Sequence, residues 1–253
     1  MNGKLWQGIA GLVGAVAFGL AACGGGNNET PPLTGAFRIA NGIGDSDVNG
    51  LDVRLLEAFQ FNAIAFGYGS GIKLPPVGSY TADFDINGQP FTVQHIQITH
   101  NDLATVLTYG SVAAATYNGF AAYQSLTGPA SSDFAVQLLH SAYQASLATP
   151  TLSYYLVPAG SGGIGSATPT TAPFATSTAT IVLPAGSYRI FVTNGSTVLY
   201  DSGAGAGVAL PPTGTNVLQL AALDAPGSPN GSAISLLLLD NDGGGTPLLN
   251  GAH

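Results

Sequence analysis

The sequence predicts an all-β protein made of two tandem antiparallel β-sandwiches that follow an export leader. Three observations carry that expectation. A short phrase, Pro76-Val77-Gly78-Ser79-Tyr80, returns as Pro184-Ala185-Gly186-Ser187-Tyr188, roughly one sandwich length (about 100 residues) further on. Alternating apolar and polar runs, divided by Gly, Pro and Asn turns, recur about every 10 residues. No stretch after the leader sustains a helical period.

Composition narrows the function classes. Only 7% of the 253 residues are charged, against about 25% in ordinary soluble proteins. Gly, Ser, Thr, Asn and Ala fill the difference, as in exported β-proteins. At 45% apolar the chain can still bury proper cores. The formal net charge is −8. Once Lys4 leaves with the leader, the basic residues are Arg38, Arg54, Lys73 and Arg189. Four scattered cations make no basic patch, which excludes nucleic acid as a partner. The single cysteine, Cys23, excludes an internal disulfide.

Residues 1–22 read as a signal peptide. Met1 to Lys4 is weakly positive, and the apolar run of residues 9–20 is short for a membrane span but suits a signal core. It ends in Leu20-Ala21-Ala22-Cys23, which resembles the bacterial lipoprotein box. That resemblance implies cleavage between Ala22 and Cys23, a diacylglycerol on the Cys23 thiol and often an acyl chain such as palmitate on the new amino group. Two or three acyl chains hold a protein on a bilayer where one does not. Gly24 stands where an aspartate would imply inner-membrane retention, so the resemblance points to the outer membrane, facing the periplasm or exposed at the surface. Residues 23–35 supply the lipidated cysteine and a flexible Gly-, Asn- and Pro-rich tether.

The first sandwich is expected over residues 36–128. Residues 37–40 open it, a polar turn follows over 41–50, and Leu51-Asp52-Val53-Arg54-Leu55 alternates as a second strand. Residues 59–72 interleave aromatics with glycines as a strand and loop. The clearest strand points Tyr80, Ala82, Phe84 and Ile86 inward and Thr81, Asp83 and Asp85 outward. Asn87-Gly88 is a hairpin turn. Residues 91–99, 104–109 and 120–126 complete the set.

The second sandwich is expected over residues 129–240. Residues 134–139 and 152–157 match the first two strands of the earlier copy. An insertion rich in Gly, Ser, Thr and Pro occupies residues 159–173, and long loops of this kind are functional or mobile. Residues 178–183 lead into the repeated phrase. Tyr188, Ile190 and Val192 then alternate with Arg189, Phe191 and Thr193, and Asn194-Gly195 makes a second hairpin. Residues 198–200, 208–210, 216–223 and 233–239 follow. The Gly-rich tail, residues 241–253, reads as frayed.

These residues resemble a family of bacterial exported modules called domain of unknown function 4397 (DUF4397). Arg38-Ile39-Ala40-Asn41 is similar to its opening, although members often carry His where Asn41 stands. Asp45 and Leu51-Asp52-Val53 fit the next part. Residues 183–188 fit its turn closely and residues 76–80 loosely. In the second copy, residues 136–140 resemble the opening, and Ser153 replaces the family's aspartate. The resemblance spans most of residues 36–240. It implies immunoglobulin-like sandwiches at the cell surface or in the periplasm, with no enzymatic activity and no established ligand.

Several residue sets suggest chemistry. Asp45-Ser46-Asp47-Val48-Asn49-Gly50 satisfies D-x-D-x-N-G, the start of a calcium loop. Asp45, Asp47, Asn49 and Asp52 are therefore candidate Ca2+ ligands. The twelfth position is Leu56, where an EF-hand needs a glutamate, and Glu57 comes one residue late. The same residues also suit a turn in which Asp and Asn bond their own backbone. Asp240-Asn241-Asp242-Gly243 is a shorter match. His95, His100 and His140 are too scattered for a metal site and read as strand or loop residues with one hydrogen bond each. Gly67-Tyr68-Gly69-Ser70-Gly71 misplaces by one the serine of a hydrolase elbow. Asp83 and Asp85 read as an ordinary wet face. Tyr68, Tyr109, Tyr117, Tyr123, Tyr143, Tyr154 and Tyr155 suit either stacking on sugars and anchoring of a partner, or core packing.

The functional expectation is a non-catalytic binding, structural or adhesion role at the envelope. The lipid fixes the protein to a membrane, and loops or edge strands contact an envelope protein or glycan. The alternatives are an accessory subunit or cryptic hydrolase of the envelope, and a calcium-stabilised spacer.

Overall fold

Period-two patterning produces strands almost throughout. The computed structural model describes residues 32–250 apart from 47–49, 56–58, 131, 213–214, 226–233, 242–243 and 249. The segment read as a signal peptide, the expected cleavage and lipidation residues Ala22 and Cys23, most of the segment read as a tether, Asp47, Asn49, Leu56, Glu57 and Asp242 lie outside the described residues. Residues from Pro32 onward form one compact unit.

The first half contains β1 (Ala36–Ala40), β2 (Leu51–Leu55), β3 (Phe59–Ile64), β4 (Gly78–Ile86), β5 (Gln89–Ile98), β6 (Asp102–Ser111) and β7 (Thr116–Ser125). The second contains β8 (Asp133–His140), α1 (Tyr143–Ala148), β9 (Thr151–Pro158), β10 (Thr170–Pro173), β11 (Thr176–Ser177), β12 (Ile181–Pro184), β13 (Gly186–Asn194), β14 (Thr197–Asp201), β15 (Val208–Leu210), β16 (Val217–Asp224), β17 (Ile234–Leu239) and β18 (Thr246–Leu248). No helix among the described residues is long and apolar enough to cross a membrane.

One pairing scheme is used twice. In the first half, β1-β6-β7 forms one sheet and β3-β2-β4-β5 another. In the second, β11-β8-β16-β17-β18 and β10-β9-β13-β14 repeat that arrangement, with β12 added on β8 and β15 on β13. The opening strand of each half runs parallel to its partner, β1 to β6 and β8 to β16, while the other pairings are antiparallel. Phe37, Val53, Phe84, Ile96 and Val106 from both first-half sheets share one core. Phe134, Leu138, Tyr154, Ile190 and Leu220 share the other.

The repeated phrase closes its own turn. Tyr80 Oη donates to the Pro76 carbonyl at 2.6 Å, and Tyr188 Oη donates to the Pro184 carbonyl at 2.6 Å. The proline sets the turn and the hydroxyl four residues on locks it before the strand begins. The β4–β5 hairpin has Asn87 at φ 54° and Gly88 at φ 75°, the left-handed pair that a tight two-residue turn requires.

Three local expectations change. In β13 both faces are buried: Arg189, Phe191 and Thr193 are covered as well as Tyr188, Ile190 and Val192. On that second face Arg189 pairs with Asp201 at 2.6 Å and lies over the Phe191 ring at 4.6 Å. The last residues of the 159–173 insertion form β10, paired with β9. The tail read as frayed supplies β18, antiparallel to β17, with Leu248 against the core. Gly245, at φ 73°, makes the preceding turn where a Cβ would lie 2.9 Å from the Leu237 and Leu239 side chains.

The halves meet on a third, smaller apolar cluster. Ala40, Leu107 and Ala122 pack there with Leu139, Ala221, Leu223, Leu237 and Leu239.

Candidate functional site

Polar side chains collect in two places, one buried and one exposed. The buried set crosses the junction of the halves. Arg38 is fully buried, and its Nε donates to Thr105 Oγ1 at 3.0 Å. One terminal nitrogen donates to the Asp240 carbonyl, and the other to Gln219 Oε1 at 2.8 Å. Gln219 Nε2 continues to Gln137 Oε1 at 2.8 Å, and Gln124 Nε2 donates to the Leu218 carbonyl at 2.9 Å. Burial pushes the Arg38 guanidinium down to about 9, against the pull of the Asp240 carboxylate. This set joins the halves. It was not legible in advance, because Arg38 and Gln137 sit at matching positions of separate copies and nothing local shows that they share a network.

The candidate calcium residues do not converge among the described residues. Asp45 Oδ2 accepts from Ser111 Oγ at 2.6 Å and Ala113 N at 3.0 Å, and Oδ1 from Val112 N at 2.8 Å. Partial burial works against its charge, but these donors outweigh it and hold the carboxyl below the ordinary carboxylate value. Asp52, on β2, instead accepts from Ala63 N through Oδ1 at 2.8 Å. No group of three His, Cys, Asp or Glu side chains among the described residues is placed to hold a metal.

The exposed set lies on the open face of the β3-β2-β4-β5 sheet. Alternation buries Leu51, Val53 and Leu55 and turns Asp52 and Arg54 outward. On β4 it buries Ala82, Phe84 and Ile86 and turns Asp83 and Asp85 outward. The register sets Asp52 opposite Asp85 and Arg54 opposite Asp83 and Gln60. These side chains with Asn62 and Pro90 line a depression of about 360 Å³. Gln60 and Asn62 also line a neighbouring groove of about 500 Å³, between β3 and residues 68–73. Phe61 and Ile64 form its buried floor, and Tyr68 stands exposed on its wall. The Lys73 ammonium lies 6.0 Å from the Phe61 ring centre. The acids were legible from period two; the contribution of Gln60 and Asn62 was not, because residues 59–72 carry no clean alternation.

No family model matches the chain, and no curated protein matches it in sequence.

The remaining candidates are dispersed. His140 is buried, with neither ring nitrogen bonded, and packs edge-on to Phe174 at 5.3 Å. The expected single hydrogen bond is therefore missing there. Burial pushes its pKa down to about 4. At the matching place in the first half, Asn41 is satisfied by Ile64 O, Ser46 Oγ, Ile43 N and Thr108 Oγ1. His100 Nδ1 lies 3.1 Å from the Thr34 carbonyl, and His95 is exposed. Ser70 is buried and fastens β1 by accepting from Ile39 N, so it is not an exposed nucleophile.

The tyrosines do not share a face. Tyr154 is buried and donates to the Leu139 carbonyl at 2.6 Å. Tyr117 packs on Phe91, and Tyr109 and Tyr143 both pack on Phe174. Tyr123 Oη accepts from Gln97 N at 3.0 Å. Only Tyr68 stands beside the exposed polar set. The 161–167 part of the insertion borders a separate open depression of about 640 Å³.

Proposed function

We propose that this chain is a bacterial envelope lipoprotein whose paired β-sandwiches serve as a non-catalytic binding or adhesion module. The observation that carries the proposal is the Leu20-Ala21-Ala22-Cys23 box, which contains the only cysteine of the chain. The order of parts supports it: apolar leader, cysteine, Gly- and Pro-rich tether, then a compact unit beginning at Pro32. In this reading Cys23 carries the lipid, residues 24–35 give reach, and the sandwiches present a surface to an envelope protein or glycan. Gly24 directs the anchor to the outer membrane.

The immunoglobulin-like character and the likeness to domain of unknown function 4397 belong to the same proposal. The hydroxyl bonds from Tyr80 and Tyr188 back to prolines four residues upstream support it, being similar to the tyrosine corner of such sandwiches. The polar side chains are spent on structure at the junction and on an open sheet face, an arrangement suited to contact rather than to bond breaking.

Membrane fractionation of cells fed radiolabelled palmitate tests the anchor. The expected result is label in the membrane-bound protein, and release of Cys23→Ser to the soluble fraction without label. Retention of unlabelled Cys23→Ser in the membrane would overturn the anchor.

A further inference from the structure

We propose that the open face of β2, β3 and β4, together with the groove beside β3, is a glycan-binding surface. This rests on the reading of the chain as an envelope binding module and names the ligand class of that module.

Charge is scarce in this chain: 5 basic and 13 acidic residues in all. Asp52, Arg54, Asp83, Asp85 and Lys73 nonetheless line this one surface. They are not spent on one another. Arg54 stands opposite Asp83 in register, yet among the described residues the ion pair is Arg189 with Asp201, elsewhere in the fold. Asp52 stands directly opposite Asp85, a like-charge pairing that costs stability in a sheet. Asp52 engages Ala63 N through one oxygen, and Asp85 engages Gly88 N through one oxygen, which leaves the second oxygen of each for a ligand.

The groups on the face have a common shape. Carboxylate, guanidinium and carboxamide are all planar and two-headed. A pair of adjacent sugar hydroxyls both donates and accepts, so it satisfies Asp83, Arg54 and Asn62 alike. A basic peptide would use the carboxylates and leave Arg54 and Lys73 opposed. The exposed ring of Tyr68, 49% accessible, offers a flat apolar plane to the C–H face of a pyranose. Gln60 and Asn62 belong to both depressions, so the surface is a continuous track. Volumes of about 360 and 500 Å³ suit several sugar units in a row rather than one.

The test is calorimetric titration of the full chain, purified from membranes in a detergent without a sugar headgroup. The probes are hexasaccharides of the gluco, manno, galacto and N-acetylglucosamine series, with oligolysine as the cationic comparison. At least one hexasaccharide is expected to bind with Kd between about 10 μM and 1 mM. Tyr68→Ala and Arg54→Ala are each expected to weaken it about tenfold with melting temperature unchanged. Absence of heat for every hexasaccharide at roughly 5 mM overturns the proposal. So does sugar binding insensitive to both substitutions. Binding of oligolysine alone overturns it too, by assigning the face to a basic partner. Fractionation of Cys23→Ser reports on the anchor and is blind to sugar, so the two readings fail separately.

Discussion

The guanidinium of Arg38 donates to Gln219 Oε1 across 2.8 Å and joins the opening strand of the first half to β16 of the second. Its other donors reach Thr105 within its own half and the Asp240 carbonyl beyond β17. A cation buried so deeply stabilises only when every donor is matched, and here the partners come from both halves.

Removing that cation takes away its bonds to Gln219 Oε1 and the Asp240 carbonyl. Arg38→Ala is expected to lower unfolding free energy by about 2–4 kcal/mol, about 1–2 for each buried bond lost. Urea titration should show one shared transition in the parent. A separate early transition of one half should appear in the variant. A variant as stable as the parent would remove Arg38 from the account of the junction.

The two phrase tyrosines should differ in weight. Tyr188 is buried and Tyr80 is more exposed, although their hydroxyl bonds are equally short. Tyr188→Phe is expected to cost about 1–1.5 kcal/mol and Tyr80→Phe about 0.5 kcal/mol, measured by chemical denaturation.

Acid pH should act on two buried groups in opposite senses. His140 is pushed down to about 4, so the unfolded chain takes the proton first, and stability is lost as pH falls from about 6.5 towards 4. Asp224 is pushed up to about 6 by burial, with the Asp45 charge adding to it and the backbone N–H groups of Gln144, Ala145 and Tyr143 opposing it. The folded state therefore holds that proton more tightly, and stability is gained as pH falls from about 6 towards 4. The two slopes oppose, so the parent should be nearly flat over this window. Asp224→Asn should expose a loss on acidification and His140→Leu a gain, each on the order of 2–3 kcal/mol by thermal melts from pH 4 to 7. Two flat single variants would contradict both assignments.

Removing the Asp45 carboxylate should loosen the β6–β7 turn. It accepts from Ser111, Val112 and Ala113, and its depressed pKa gives stability that is present above the ordinary carboxylate range and lost as pH falls through the folded value. Asp45→Ala is expected to cost about 1–2 kcal/mol at pH 7. Amide exchange at residues 112–115 should rise in that variant. Unchanged exchange there would show that the carboxylate does not hold the turn.

The strands were legible where one face stays wet. β2 and β4 alternate cleanly because Asp52, Arg54, Asp83 and Asp85 face water, and the pattern reports that directly. β16 is buried on both faces and its sequence loses the period, whereas β13 keeps an alternation of Arg189 and Thr193 with apolar residues although both of its faces are buried. β18 was missed because three residues inside a Gly-rich run carry too little pattern, and its order comes from pairing with β17. The polar face was half legible. Alternation gave its acids, but Gln60 and Asn62 come beside them through the irregular pairing of β3 with β2, and Tyr68 through the segment that follows β3, which are tertiary facts.

The parallel pairing of β1 with β6 has a temporal consequence. Ala36 meets Leu103, so the opening strand must wait for a partner made much later. Arg38 waits longer still, since its acceptors at Gln219 and Asp240 lie 181 and 202 positions away. During synthesis the guanidinium therefore stays hydrated until residues 219 and 240 have been made. Desolvating it is a closing event, and contacts of such long sequence separation slow the final steps of folding. The strand that opens the fold is thus among the last to be sealed.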